Sequence, residues 1–405
     1  MILKLAWRNI WRNRRRSFVT LSSVLFAVFF AVVLRALQLG TYDRLIDNVV
    51  SSYTGYIQIH QEGYWDDRTL EKVMAVDDLP ERLGDIIPGV SDVFPRLESY
   101  ALVATERKTR GGMIVGLDPV REDPMLDLTG KITAGELFGN DESSVAVAEG
   151  LARSLGVGPG DTLIILGQGY QGMSAAGKYP VCGIVKFPSP EMNSGLVLMS
   201  LAQAQDLFSA YGLVTSLVIR LPDSRRLEGI QAGLERELDP ASYEIMSWRD
   251  LLPELVQTIQ LDSGSGLIMI LILYLVILFG IFGTLLMMLN ERRFEFGVLI
   301  SVGMSRTRLI LVTLVEIVLL TLMGVVSGAL LAAPLQAYLA RHPIRFTGEG
   351  ARAFEEMGWE AVMAASTDPA IAITHGVGVL LLTLVISLYA VARISRLEPV
   401  RAMRA

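Results

Sequence analysis

Residues of the types that perform catalysis or bind metals are few and scattered in this chain. The three histidines, His60, His342 and His375, are far apart, and none has a metal-binding spacing such as H-E-x-x-H. Cys182 is the only cysteine, which excludes an intramolecular disulfide and a cysteine-based metal cluster. No G-x-S-x-G segment places a serine nucleophile on a sharp turn. The sequence therefore predicts no catalytic and no metal site; we expect His60 to be solvated at a strand end and His375 to lie at a membrane interface.

One segment of the chain matches part of the sequence pattern of a phosphate-binding loop. Gly172, Gly177 and Lys178 occupy three positions of G-x-x-x-x-G-K-[ST], but Tyr179 replaces the hydroxyl residue that would bind magnesium. No helical pattern follows the segment. We interpret it as a hairpin between strands at 161–167 and 179–187, and we expect the chain to bind no nucleotide and no cofactor itself.

The elements that must position functional residues are dominated by apolar stretches. The chain has 405 residues, of which 51% are hydrophobic and 19% charged, whereas soluble chains average about 25% charged residues. Four stretches, 17–34, 266–289, 309–335 and 371–392, are long and apolar enough to cross a bilayer as helices. The first follows a basic head, and the length of both favours an uncleaved anchor over a cleaved signal peptide.

Charge predicts the orientation of these spans. Residues 1–37 contain seven Lys and Arg and no acid, whereas residues 38–263 contain 18 basic and 33 acidic residues. Short loops rich in Lys and Arg stay in the cytoplasm, while long segments translocate largely regardless of charge. Arg292, Arg293, Arg306 and Arg308 then fall on the same side as the basic head. We therefore expect both termini to be cytoplasmic and the acidic segment to lie outside.

This acidic segment has the pattern of an α+β domain. Alternating apolar runs at 54–60, 143–150, 161–167, 179–187 and 216–221 predict strands. Helical periodicity intervenes at 151–156, 200–212 and 225–239. About 220 residues are enough for an independent hydrophobic core.

The segment 290–307, after the second span, carries a cluster of mixed charge next to apolar residues. The charged residues are Glu291, Arg292, Arg293 and Glu295. The segment is too polar to span a membrane and too apolar for a solvated loop, so we predict an amphipathic surface helix that Gly303 ends. A plain anchor of positive charges is the alternative. The charges beside an exposed Phe296 favour the docking of a protein partner.

The same segment reads E-R-R-x-E-F-G-x-L-x-x-x-G-x-S-R and is followed by Glu316 in the next span. This pattern resembles the FtsX-like permease family of ABC transporters. The head LAWRNIWRNRRRSFVT resembles the family's amphipathic elbow, with basic residues on one face at Lys4, Arg8, Arg12 and Arg16. The tail RISRLEPVRAMRA resembles the family's ending at Pro399, Ala402 and Arg404.

The resemblance implies an α-helical membrane protein with four transmembrane helices and a large extracytoplasmic α+β domain of the MacB/Lol type, inserted between helices one and two. The expected boundaries are an elbow helix at 1–16, transmembrane helices at 17–39, 264–289, 308–335 and 370–392, the extracytoplasmic domain at 40–262, a coupling helix at 290–307, an extracytoplasmic loop at 336–369 and a cytoplasmic tail at 393–405. The loop, with Phe346, Phe354, Met357 and Trp359, has no predicted role.

In the family, the segment after the second span is a coupling helix that fits a groove on a separate ATPase, which binds the ATP and magnesium. The coupling residues implied by the resemblance are Glu291, Arg292, Glu295, Phe296, Gly297, Gly303, Ser305 and Arg306. Glu316 is an acid inside a span, where ionisable residues are by default functional. Snorkelling or pairing with Arg308, eight residues earlier, remains an equal alternative for Glu316.

Length and the pattern of the outer segment are most similar to the lipoprotein-releasing permeases of the LolC/LolE type. The resemblance implies a bacterial inner-membrane subunit that is no enzyme itself, is driven by a LolD-like ATPase and pairs with a second permease copy or paralogue. It would release lipoproteins from the membrane to a periplasmic carrier, contacting lipid and no nucleic acid. An FtsX-like regulator of cell-wall hydrolases and a MacB-like export subunit for a small amphiphile are the alternatives.

Three further sets of residues follow from these expectations. A hairpin implied as a carrier hook contains Leu166, Gln168, Tyr170, Gln171 and Lys178. A lipid exit would be lined by Phe26, Phe29, Phe30, Ile270 and Leu273. The glycine pairs Gly324 and Gly328, and Gly280 and Gly283, offer close helix packing either within one subunit or at a dimer seam.

Overall fold

The computed structural model describes the chain except residues 1, 77–82, 85–86, 88–89, 91, 141, 188, 222–225, 350, 352–360, 397 and 399–405. Six residues named above lie outside the described residues: Phe354, Met357, Trp359, Pro399, Ala402 and Arg404. The chain divides into two compact units. The helical unit contains Met1–Asp43, Thr258–Arg345 and Val362–Ala405, and the sheet unit contains Arg44–Gln257 and Phe346–Ala361.

The helices of the first unit follow the apolar stretches of the sequence. The N-terminal helix is Ile2–Arg12 and the first span helix Arg14–Val49. They are followed by the second span helix Pro253–Glu291, the short helix Arg293–Ser301, the third span helix Arg306–Arg341 and the fourth span helix Pro369–Ser395. All four span helices are long and apolar enough to cross a membrane. Each of these helices is longer than its apolar stretch, since the polar residues at its ends are helical as well.

Close packing in the helical unit occurs at two glycines of the third span helix. A Cβ at Gly324 would lie 2.7 Å from the Val24 Cβ, and one at Gly328 would lie 2.6 Å from the Leu25 carbonyl oxygen. Only glycine lets the first and third span helices approach this closely. The G-x-x-x-G pair therefore packs within one chain, which is one of the two arrangements that the sequence leaves open.

The second span helix is the least packed of the four. In its most apolar 18-residue window 17% of the residues are buried, against 50% for the third span helix. A Cβ at Gly280 or Gly283 would meet no atom within 4 Å. Large exposed side chains follow its length: Leu271, Ile272, Leu275, Val276 and Phe279. The described residues of this chain thus leave an apolar face of the helix uncovered.

The strands, in chain order, are β1 Ile57–Gln61, β2 Met74–Ala75, β3 Asp92–Ala104, β4 Thr109–Leu117, β5 Ile132–Gly135, β6 Val145–Ala148, β7 Thr162–Gln168, β8 Ser174–Val185, β9 Leu196–Ser200, β10 Leu213–Val214, β11 Ser216–Arg220, β12 Tyr243–Ser247, β13 Ile344–Arg345 and β14 Val362–Met363. A mixed ten-stranded sheet runs in the order β12-β1-β11-β3-β4-β9-β6-β8-β5, and β7 pairs with β3 and β8. The pairs β2–β10 and β13–β14 are separate two-stranded ladders.

Short helices connect the strands of the sheet unit. They span Tyr64–Asp67, Pro119–Leu126, Leu128–Lys131, Glu149–Leu155, Pro190–Gly195, Leu201–Leu207, Leu227–Glu237 and Trp248–Leu251. Apolar side chains from the strands and from these helices fill three clusters, for which Val147, Ile59 and Phe94 are representative members. The five predicted strands and three predicted helices of this segment are confirmed, with ends shifted by a few residues.

A buried ion pair links a strand to a helix in the sheet unit. Arg96 Nε donates to Glu122 Oε2 at 2.8 Å, and Arg96 Nη1 donates to the Tyr53 carbonyl oxygen at 2.6 Å. Both Arg96 and Glu122 have fully buried side chains, and the guanidinium lies 4.8 Å from the centre of the Tyr53 ring. The pair ties β3 to the helix that begins at Pro119.

The contact at Gly328 predicts opposite effects of the same substitution at two glycines. Gly328→Ala should lower the free energy of unfolding by about 1–3 kcal/mol, because the added methyl group meets the backbone of the first span helix. Gly283→Ala should be neutral or raise stability by up to about 1 kcal/mol, because the site is open and alanine favours the helix. Equilibrium unfolding of the detergent-solubilised chain measures both, and an equal loss at the two positions would contradict the packing.

Candidate functional site

Arg292 lies at a break between the second span helix and the short helix. Its backbone has φ −96° and ψ 7°, and its side chain is turned inward with only 6% of the residue exposed. Nη1 donates to Glu316 Oε2 at 2.7 Å, and Nε donates to Glu295 Oε2 at 3.4 Å. The guanidinium also lies 5.5 Å from the centre of the Phe296 ring. One arginine therefore joins the short helix to the third span helix.

Glu316 is completely buried in the third span helix. Besides Arg292, it accepts a hydrogen bond from Asn9 Nδ2 of the N-terminal helix at 3.4 Å. Of the roles left open by the sequence, pairing with an arginine is the one observed, but the partner is Arg292 and not Arg308. The helix break aims Arg292 at this carboxylate, whereas Arg308 is exposed in the first turn of the third span helix.

A second ion pair connects the N-terminal helix to the short helix. Arg12 Nη2 donates to both carboxylate oxygens of Glu295, at 2.6 and 2.7 Å. The two side chains are about half exposed, at 52% and 43%. Burial tends to raise the pKa of the Glu295 carboxyl, but the hydrogen bond and charge of Arg12 and the charge of Arg292 outweigh it and lower that pKa. Asn9, Arg12, Arg292, Glu295 and Glu316 are called the ion-pair network below.

The turn after the short helix follows the predicted pattern. Gly303 adopts φ +103°, in the left-handed region that favours glycine, and its amide donates to the Ile300 carbonyl oxygen at 3.0 Å. Ser305 then caps the third span helix, because its Oγ accepts from the Arg308 amide at 3.4 Å. Arg306 Nη1 donates to the Ser395 carbonyl oxygen at the end of the fourth span helix. The turn therefore fixes the start of one span against the end of another.

The prediction of an exposed Phe296 is wrong. Phe296 is 1% exposed and packs in a cluster with Leu285, Leu309 and Ile394. Gly297 is buried as well, and its carbonyl oxygen accepts from Ser301 Oγ at 2.9 Å. From Glu291 to Gly303 the exposed residues are Glu291, Arg293, Phe294, Val298, Leu299, Ser301, Val302 and Gly303. Phe294 is 57% exposed and Val302 82% exposed, so these two replace Phe296 as the apolar surface.

In the sheet unit the predicted hairpin is confirmed between β7 and β8, which pair from Thr162 with Pro180 to Gln168 with Ser174. Leu166, Gln168, Gln171 and Lys178 are exposed. Tyr170 instead packs partly buried against the core, and its amide donates to the Phe208 carbonyl oxygen at 2.8 Å. Four of the five hook residues are therefore accessible, while the fifth holds the tip onto its own unit.

The residues expected at a lipid exit differ in their exposure. Phe26 and Phe30 are 56% and 50% exposed on the first span helix. Phe29 and Leu273 are partly buried and pack against the core of the helical unit. Ile270 is 8% exposed, so its expected place at an exposed lipid face is wrong.

The expectation of a solvated His60 is wrong, whereas the expected interfacial position of His375 stays a prediction. His60 is fully buried, where its Nδ1 donates to the Thr215 carbonyl oxygen at 2.8 Å and its ring stacks on Tyr64. Burial lowers the pKa of His60, although the Thr215 carbonyl opposes this. His375 is 7% exposed and hydrogen-bonds Tyr274 Oη through Nδ1 at 2.8 Å. Within the described residues no group of three His, Cys, Asp or Glu is placed to hold a metal ion.

Asn9 and Arg12 are the members of the network that the sequence did not identify as site residues. Their partners lie about 300 positions away, at Glu316 and Glu295, so no local spacing links them. The basic periodicity of the head includes Arg12, but it predicts only one basic face of a helix and no ion pair. The contact between Arg12 and Glu295 could have been predicted only by testing charged residues that are distant in sequence as possible ion-pair partners.

Family models match both parts of the chain. A model described as the FtsX-like permease C-terminal matches residues 267–399. A model described as the MacB-like periplasmic core domain matches residues 17–237, which is more than half of the chain.

Curated relatives are similar at low identity. The lipoprotein-releasing system transmembrane protein LolC of Neisseria meningitidis serogroup B is 23% identical over 256 residues, which cover 60% of this chain and 61% of that protein. The macrolide export ATP-binding/permease protein MacB of Agrobacterium fabrum is 22% identical and covers 83% of this chain and 52% of that protein. The chain thus spans less than two thirds of the length of these relatives. The crystal structure of the periplasmic region of MacB from Actinobacillus actinomycetemcomitans is 14% identical, covers 53% of this chain and 98% of that chain, and has a TM-score of 0.37.

Arg292→Gln should destabilise the helical unit, because it removes the cation nearest to a buried carboxylate. Breaking a buried pair costs about 3–5 kcal/mol, whereas Arg308→Gln, at an exposed position, should change stability by no more than about 0.5 kcal/mol. Denaturant unfolding of the solubilised chain gives both values. The apolar double variant Arg292→Met with Glu316→Leu should recover much of the loss; similar losses for Arg292→Gln and Arg308→Gln would show that the pair does not hold the unit together.

Proposed function

Because the chain belongs to the FtsX-like permease family with a MacB-like periplasmic core domain, we propose that it is a membrane subunit of an ABC transporter whose ATPase is a separate protein. ATP and magnesium bind to that ATPase, and this chain binds no cofactor. The observation that carries the proposal is the ion-pair network, since it joins the short helix to both the N-terminal helix and the third span helix.

The proposed orientation places both termini and the short helix in the cytoplasm of a bacterium, with the spans in the inner membrane. It is supported by the basic head, by the four arginines around the short helix and by the acidic composition of residues 38–263. The sheet unit is then periplasmic, which agrees with the description of the family model that matches it. The segment between the third and fourth spans lies on the same side.

Force from the ATPase enters at the short helix in this proposal. Phe294, Val298 and Val302 supply exposed apolar area for docking, while Arg292 and Glu295 hold the other side of the helix to its neighbours. Because Arg292 and Glu295 fasten the start of the short helix, displacing it displaces the third span helix with little loss in a flexible loop. Ser305 and Arg306 extend the connection to the fourth span helix.

A second permease, either another copy or a paralogue, covers the exposed face of the second span helix in the assembled transporter. The uncovered apolar residues of that helix support this arrangement, as do Gly280 and Gly283, which permit a close approach. Phe26 and Phe30, exposed on the first span helix, then line the route by which an acylated cargo leaves the bilayer.

The cargo proposed for this transporter is lipoprotein, passed to a periplasmic carrier that docks on the hairpin of β7 and β8. Spans almost without charged residues suit the movement of force or lipid better than conduction of a hydrophilic solute. The name of the Neisseria relative supports lipoprotein release. The longer match to the Agrobacterium protein favours a second candidate, the export of a small amphiphile.

Reconstitution separates the two cargoes. The chain, its ATPase and a partner permease are placed in liposomes with a labelled lipoprotein, and release to a soluble carrier is followed with and without ATP. ATP-dependent release supports the lipoprotein proposal, and Leu166→Asp with Gln171→Ala should reduce it while ATP hydrolysis continues. Absence of release, together with stimulation of ATP hydrolysis by a macrolide, would favour small-molecule export.

Docking of the ATPase should depend on the exposed apolar residues of the short helix. Phe294→Asp with Val302→Asp should abolish co-purification of the ATPase, because a carboxylate buried without a partner at the interface is costly. The matched control is Tyr211→Asp, an equally exposed aromatic site in the sheet unit, which should leave co-purification unchanged.

A coupled variant tests transmission separately from docking. Glu295→Gln with Arg306→Gln should retain the ATPase but reduce ATP-driven release, since the short helix loses its tie to the N-terminal helix and the third span helix loses its tie to the fourth. Undiminished release by this variant would refute the coupling role of the segment.

A further inference from the structure

A groove of about 440 Å³ lies between the N-terminal helix, the first span helix and the third span helix. Leu21, Leu320 and Met323 form its wall inside the spans, and Trp11 forms the wall on the N-terminal helix. The hydroxyl group of Ser17, which also borders the groove, donates to the Ile10 carbonyl oxygen at 2.8 Å. Since that polar group is already satisfied, the inside of the groove offers only apolar contacts.

Two arginines stand at the mouth of this groove. Arg14 and Arg15 border it and are exposed, and Arg14 lies 6.0 Å from the centre of the Trp11 ring. Among the residues that the structure describes, no carboxylate forms an ion pair with either of them. The mouth therefore carries two positive charges directly beside an apolar cavity.

The position of the groove identifies the kind of molecule that fits it. Trp7 and Trp11 are about half exposed and pack edge to face, with ring centres 5.9 Å apart, and tryptophans of this kind favour the headgroup region of a bilayer. The mouth thus lies where phosphate groups are, and the apolar wall continues along the spans where acyl chains are. Basic pockets between span helices on the cytoplasmic side are suited to anionic lipid headgroups.

We propose that this groove binds one anionic phospholipid of the surrounding leaflet. Its phosphate lies at Arg14 and Arg15, and an acyl chain lies along Leu21, Leu320 and Met323. The lipid fills the space between the N-terminal helix and the third span helix. It thereby holds the N-terminal helix, which carries Asn9 and Arg12, against the third span helix. The consequence for coupling rests on the proposed function, whereas the binding itself does not.

Lipid titration of the purified full-length chain tests the binding without any ATPase. The chain in a neutral detergent is titrated with phosphatidylglycerol or phosphatidylcholine, and retained lipid is counted by native mass spectrometry. The wild-type chain should retain one phosphatidylglycerol in preference to phosphatidylcholine. Arg14→Gln with Arg15→Gln should weaken phosphatidylglycerol binding on the order of thirtyfold, at the strength of attraction expected for two arginines at an anionic surface.

The matched control is Lys4→Gln with Arg8→Gln, which removes two exposed charges from the N-terminal helix outside the groove. Binding of phosphatidylglycerol by this control should remain near the wild-type value. An equal loss in the two double variants would mean attraction to the basic head as a whole and would overturn the site. A wild-type affinity in Arg14→Gln with Arg15→Gln would overturn it as well.

A second pair of variants tests the acyl-chain part of the groove. Met323→Trp should displace the lipid by filling the wall, whereas Leu330→Trp, 69% exposed on the same helix, should leave binding intact. Melting temperatures of both variants without lipid show whether they fold. Displacement of phosphatidylglycerol by inorganic phosphate alone would assign the mouth to free anions, and displacement by an acylated peptide but not by excess phospholipid would assign the groove to cargo; either result contradicts the proposal.

Discussion

The buried pair of Arg292 and Glu316 is the constraint on which one end of the helical unit, the end that carries the short helix, depends. Removing two ions from water costs several kcal/mol for each, and only close geometry with further hydrogen bonds offsets that cost. Here the nitrogen and oxygen atoms are 2.7 Å apart, Asn9 supplies another donor, and Phe296 lies beside the guanidinium. The break in the helix at Arg292 turns this side chain inward to meet the carboxylate.

Hydropathy and charge predicted the parts of the fold in which each residue acts by itself or with near neighbours. The four apolar helices, the hairpin of β7 and β8 and the end of the short helix before Gly303 are of this kind. The pattern of apolar residues predicted the strands β1 and β11, because no proline or charged residue interrupts the apolar positions of either strand. The long β3 was missed, since Pro95 and Arg96 interrupt its pattern and the ion pair that buries Arg96 is formed by a residue outside the strand.

The site was predicted as a segment, but its internal arrangement was not. Composition located the mixed charges of 290–307, yet it assigned Phe296 to the surface and left the partner of Glu316 open. Both depend on which face of a nine-residue helix turns inward, and that is decided by contacts with the N-terminal and fourth span helices. Rotation of the segment by about half a turn would exchange Phe294 for Phe296 without any change in local sequence preference, since residues two apart in a helix lie about 200° apart.

The two ion pairs of the network differ in their access to solvent. Dissolved salt screens charges that face water but acts much less on buried ones. The half-exposed contact between Arg12 and Glu295 therefore weakens as ionic strength rises, whereas the contact between Arg292 and Glu316 persists. Salt in the surrounding solvent can therefore loosen the attachment of the N-terminal helix, whereas it cannot loosen the buried attachment of the short helix. A change in ionic strength would thus alter one end of this connection and leave the other in place.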